Sequence, residues 1–165
     1  MKRDLKLIKL NIALLVIVFG SSCKKDDPEP STPAPNYTNF KITSVEITSM
    51  SFLDANSTSW DLIDGPDVFF NMEDANNTVL FDGSSYRVND VATTALPLTW
   101  NFINAYQITN TSITHYVTVY DYDTFDPNDL IGSVGFKLDD HKSGYPTTIS
   151  KSNGSLTVKI TGSWY

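Results

Sequence analysis

The chain has 165 residues, 41% of them hydrophobic and 12% aromatic, which suits one packed domain of ordinary size and excludes a large multidomain enzyme. With 19 acidic against 12 basic residues and a net charge of −7, it offers no run of cations to neutralise phosphates, so nucleic acid is excluded as a partner. Eight glycines and eight prolines belong to neither a collagen-like nor a wholly disordered chain.

Residues 1–22 begin with Lys2, Arg3, Lys6 and Lys9, continue as an apolar run over 12–19, and end in the small residues Gly20, Ser21 and Ser22. This is the layout of a signal peptide, and its apolar run is far shorter than the ~20 residues that cross a bilayer. Cys23 follows at once and is the only cysteine, so no intramolecular disulfide exists. It resembles the lipobox cysteine of bacterial lipoproteins, with Gly20 where that pattern usually carries Leu, Val or Ile. The resemblance implies cleavage before Cys23 and a lipid anchor on it, in the bacterial outer membrane. Lys24, Lys25, Asp26 and Asp27 resemble the charged export signal of some surface-exposed lipoproteins. Loss of the leader removes four basic residues and one aspartate, leaving a charge of −10.

Residues 23–39 hold four of the eight prolines and almost no apolar side chain, which reads as a disordered tether after the lipidated cysteine. Fully extended, its Pro-rich part reaches roughly 40 Å.

From residue 40 onward Val, Ile, Thr, Tyr and Phe alternate with polar residues. Strands are expected over 42–48, 68–72, 79–81, 86–91, 100–108, 114–120, 131–138, 147–150 and 156–164. Turn pairs such as Asn76-Asn77, Asp82-Gly83 and Asn153-Gly154 separate them. The expected fold is all-β, an eight-stranded antiparallel sandwich over residues 40–165, with no long helix and no internal repeat.

Seven carboxylates gather in two segments, Asp61, Asp64 and Asp67 before one strand and Asp121, Asp123, Asp126 and Asp129 after another. Carboxylates converging at one end of a sandwich repel one another unless a cation lies between them. An all-oxygen set suits Ca²⁺ better than Mg²⁺, and no thiol or imidazole cluster exists for zinc. Residues 121–132 begin like an EF-hand loop, but Asp126 and Gly132 stand where that loop needs Gly and Glu.

Val119-Tyr120-Asp121-Tyr122-Asp123, five further residues, then Asp129-Leu130-Ile131-Gly132 resembles the third calcium loop of a C2 domain. Trp60-Asp61-Leu62-Ile63-Asp64-Gly65-Pro66-Asp67-Val68-Phe69 resembles its first, and Leu96-Pro97-Leu98-Thr99-Trp100-Asn101-Phe102 its Asn-Pro-x-Trp-Asn-Glu segment, with the first Asn and the Glu replaced. The resemblance implies Ca²⁺ held by Asp61, Asp67, Asp121, Asp123 and Asp129, with Asp126 as an accessory ligand and the Tyr122 carbonyl completing the shell. One strand before loop 1 and a closing strand at 156–164 imply the circularly permuted, type II order.

Leu62, Ile63 and Phe125 occupy the expected loop tips, where C2 domains place the apolar residues that enter anionic membranes. The family's polybasic strand is missing, since Arg87 is the sole cation between 69 and 91. The expected function is therefore calcium-dependent docking of a lipid-anchored envelope lipoprotein to anionic phospholipid, a protein or a glycan. The alternative is a structural lipoprotein in which calcium only stabilises the loops. Catalysis is not expected: His115 and His141 have no nucleophile nearby in sequence, and acids matched to a metal stay ionised.

Overall fold

The computed structural model describes residues 35–54, 56–60 and 65–165. The leader, Cys23, most of the tether and the loop 1 residues Asp61, Leu62, Ile63 and Asp64 lie outside that set.

Eight strands form two four-stranded antiparallel sheets, giving the all-β sandwich expected from the alternation. They are β1 (Phe40–Ser49), β2 (Val68–Asp74), β3 (Val79–Asp82), β4 (Leu98–Ile108), β5 (Thr114–Asp121), β6 (Asp129–Lys137), β7 (Thr148–Asn153) and β8 (Leu156–Trp164). One sheet runs β4-β1-β8-β7 and the other β3-β2-β5-β6. A single strand precedes residues 61–67, and the closing strand β8 pairs with β1.

In β8 the period of two is strict: Leu156, Val158, Ile160, Gly162 and Trp164 all face inward and are buried. Gly162 is required there because an added Cβ would stand 2.2 Å from the Lys41 carbonyl oxygen. In β1 the buried set switches from Phe40 and Ile42 to Val45 and Ile47. Its pairing with both β4 and β8 shifts between Ile42 and Ser44, so a bulge there inserts the odd residue and restores the apolar side to the core. From the other sheet Val68, Phe70, Met72, Val117, Val119, Val134 and Phe136 complete the same core. At the open side between β3 and β4 the gap is filled by rings, with Phe70 edge-on to Trp100 at 5.3 Å and Phe81 edge-on to Phe102 at 5.1 Å. Phe70 is wholly buried, so Phe70→Ala is expected to cost about 3–5 kcal/mol.

The strand expected over 86–91 is not one. Its start is a 3₁₀ turn, Ser84–Tyr86, and only Val88 bridges to Val68, through reciprocal hydrogen bonds of 2.9 Å. The physical reason is competition: β2 is already paired with β3 on one side and β5 on the other, so the segment reaches β2 only beyond the end of β3. Asp90 is held at φ 52°, which interrupts extended backbone.

A short repeat also goes beyond what the strand pattern suggested. Asp54 and Asp74 each start an Asp-Ala-Asn-x-Thr pentamer, and each builds the same turn. The aspartate Oδ1 accepts the amides two and four residues on, Asn56 and Thr58 at 2.8 Å in one and Asn76 and Thr78 at 2.8 and 2.9 Å in the other. The fourth residue, Ser57 or Asn77, adopts positive φ. These amides hold both carboxyls below the usual range, Thr58 and Thr78 contributing most.

Ahead of β1, Thr38 and Asn39 donate to the Tyr165 carbonyl at 3.3 Å, and Tyr165 donates back to Asn39 at 3.1 Å.

Candidate calcium loops at one end of the sandwich

Sheet register brings the acidic segments together. Val68 opens β2 opposite Asp121, the last residue of β5, and Asp121 is itself opposite Asp129, the first of β6. Asp67, Asp121 and Asp129 therefore lie at one end of one sheet, and residues 122–128 form the loop that joins β5 to β6.

Asp121 is only 2% exposed, and its Oδ1 accepts the Asp67 amide at 2.6 Å, while the Tyr122 amide donates to the Asp67 carbonyl at 2.9 Å. Asp67 in turn accepts the Asp90 amide on Oδ1 at 2.9 Å and has Arg87 Nε 3.9 Å from Oδ2. The Arg87 guanidinium also lies 4.2 Å above the Tyr122 ring, a cation–π contact. Segment 87–91 is held against the end of loop 1 by the Val91 amide, which donates to the Pro66 carbonyl at 3.0 Å. Gly65 is required for this approach, because an added Cβ would stand 2.1 Å from the Val91 carbonyl oxygen.

In the β5–β6 loop the Asp123 amide donates to Asn128 Oδ1 at 3.1 Å. Burial pushes the Asp123 carboxyl above its usual range, and the charges of Asp129, Asp126 and Asp67 push it further, against the Asp129 amide that lowers it. Four carboxylates thus share one field that their neighbours do not cancel. Phe125 is 97% exposed at the tip and Leu130 is exposed at the start of β6.

Asp67, Asp121, Asp123, Asp126 and Asp129 are therefore brought to one end, as expected. They do not converge on a point: among the described residues no three acidic, imidazole or thiol side chains close into a metal-holding group. Asp61, Leu62 and Ile63 fall outside the described residues. The donor chemistry nevertheless fits a hard cation, since every candidate is an oxygen and the charge around Asp123 is uncompensated. Sequence reasoning missed Arg87, Asp90 and Asn128 as members of this end. Arg87 and Asp90 stand 20 or more residues from Asp67, and only the Val68–Val88 bridge brings them there.

No protein-family model matches the chain, and no curated protein does. Among solved structures, extended-synaptotagmin 2, represented by its two tandem C2 domains, is similar at 12% identity with a TM-score of 0.47, over 94% of this chain and 48% of that one. Human GIVD cytosolic phospholipase A2, in complex with methyl γ-linolenyl fluorophosphonate and terbium chloride, is similar at 14% identity with a TM-score of 0.45, over 79% of this chain. The present chain spans 18% of that enzyme's length. The assignment of this protein as an antiparallel sandwich rests on its own strand order and register.

Proposed function

We propose that this protein is a calcium-binding, C2-like docking module carried by a bacterial envelope lipoprotein. The observation that carries the reading is the raised Asp123 carboxyl, coupled to Asp129, Asp126 and Asp67 at one end of the sandwich. Ca²⁺ would be held by Asp67, Asp121, Asp123 and Asp129 together with Asp61, with Asp126 outermost and the Tyr122 carbonyl as a neutral ligand. The ion supplies positive charge that cancels the loop repulsion and lets the exposed Phe125 approach an anionic surface. Lipidation of Cys23 and the tether after it would keep the domain at the outer membrane, exposed at the cell surface.

Sedimentation with phosphatidylserine-containing vesicles tests the docking step. Binding should require calcium, vanish in chelator and fall at least about tenfold in Phe125→Ala, because a buried Phe contributes on the order of 2 kcal/mol. For the anchor, Cys23→Ala should release the protein from the membrane fraction of lysed cells.

A second reading is favoured by the Arg87 contacts. A cation fixed against Asp67 and Tyr122 already offsets part of the charge, as suits an envelope lipoprotein whose calcium only stabilises the loops. Calcium-dependent melting without calcium-dependent vesicle binding distinguishes that case.

A further inference from the structure

The outer face of the β3-β2-β5-β6 sheet carries a cavity of about 480 Å³, within the roughly 300–1,000 Å³ usual for small-ligand sites. Its aromatic side is built by register. Phe69 on β2 and Tyr120 on β5 are direct cross-strand partners, and their rings stack at 5.4 Å and 20°. Tyr122 meets Phe69 edge-on at 6.3 Å. Phe69 is 2% exposed and serves as backing, whereas the two tyrosines remain partly exposed.

Its polar side is Asn71, Asp82 and Asn128. Asn71 and Asp82 are again cross-strand partners. Each of the three uses Oδ1 to accept a backbone amide: Gly83 for Asn71 at 3.2 Å, Ser84 for Asp82 at 2.9 Å and Asp123 for Asn128 at 3.1 Å. That bond fixes the side chain and leaves the other end, two carboxamide NH₂ groups and one carboxylate oxygen, for a ligand. The Ser84 amide holds Asp82 below the usual carboxylate range, so it remains an acceptor at neutral pH. Beneath, Glu73 is 7% exposed and accepts hydrogen bonds from Thr118 at 2.9 Å and Tyr120 at 3.2 Å, which locks the Tyr120 ring.

We propose that this cavity binds a neutral sugar of a glycan chain. A pyranose presents an apolar C–H face, which matches the tyrosine rings, and hydroxyls that both donate and accept, which match two amide donors beside one carboxylate. No cation lines the cavity, so a phosphate or an acidic sugar would meet Asp82 without counter-charge. A lipid tail would leave three polar side chains unpaired. Sheet residues already locked by their own hydrogen bonds lose little entropy on binding. Sugar binding here needs no calcium at the acidic loops.

The test is calorimetric titration of the full-length chain in detergent and excess chelator, which separates this site from the calcium loops. The probes are cellotetraose, mannotetraose, xylotetraose and maltotetraose, with tetragalacturonate as the acidic arm. At least one neutral probe should bind with a Kd on the order of 1 mM or tighter. Asp82→Asn, Asn128→Asp and Asn71→Asp each keep the Oδ1 acceptor and change only the free end. They should weaken that binding by about tenfold or more while melting near wild type. No binding of any neutral probe at about 10 mM, tighter binding of tetragalacturonate, or variants that bind like wild type would each overturn the proposal.

Discussion

Asp67 and Asp121 are joined through backbone as well as sharing a charged end: the Asp67 amide donates to a carboxylate oxygen of the nearly inaccessible Asp121 at 2.6 Å. Asp121 therefore ties the start of β2 to the end of β5 whether or not an ion is present. In chelator, Asp121→Ala is expected to lose about 1–3 kcal/mol, because it leaves a buried amide without its acceptor. Asp121→Asn retains an oxygen and should lose less. Urea unfolding of both variants checks this, and equal stability of Asp121→Ala and wild type would contradict it.

Asp123 is expected to behave in the opposite way. Its folded pKa is raised, so the folded state takes up a proton more readily than the unfolded chain, and the destabilisation is fully present above the folded pKa. Asp123→Asn should raise the melting temperature in chelator at pH 7. The difference from wild type should shrink as pH falls through the folded pKa, towards the unperturbed value of 3.8. Melting curves between pH 3 and pH 7 decide it, and a destabilised Asp123→Asn at pH 7 would count against uncancelled repulsion.

Asp74 tests the sign for a lowered carboxyl. Its stabilising amide contacts act on the ionised form, so their contribution is present above the unfolded pKa and is lost as pH falls through the lower folded one. Asp74→Ala should melt below wild type at pH 7, and the gap should close below pH 3.8. A gap that persists in acid would assign the effect to something other than the charged turn.

Arg87 is the resident cation of the acidic end, 3.9 Å from Asp67. Arg87→Gln should tighten calcium binding by about twofold to fivefold at low salt, since a partly exposed charge at this distance is worth about 1 kcal/mol at most. The gain should shrink in high salt. Weaker calcium binding in Arg87→Gln would instead make the arginine a support for the loops.

Most strands were legible because each sheet buries one face and so enforces a period of two, most plainly in β8. Where the pattern slipped, at Ile42 to Val45, a bulge shared by both neighbours accounts for it. The error at residues 86–91 has another origin: β propensity says nothing about whether a pairing edge is still open, and β2 has none left. At the acidic end the aspartates were legible from spacing, but the partners that hold them were not. Asp90 reaches Asp67 through its amide, a group identical in every residue except proline, and Asn128 through a hydrogen bond to the Asp123 amide. The outer-face cavity escaped for a related reason, since Phe69, Asn71, Asp82 and Asn128 belong to three separate segments joined only by register.

Calorimetric titration of the full-length chain with Ca²⁺, set beside Mg²⁺ and the Asp123→Asn/Asp129→Asn double variant, addresses calcium binding most directly. The expected result is saturable heat with a Kd of about 10⁻⁴ to 10⁻³ M, much weaker with Mg²⁺ and absent from the double variant while its β-sheet circular dichroism is retained. No heat with Ca²⁺ up to about 10 mM, or equal heat from the double variant, would contradict a calcium site at this end of the sandwich.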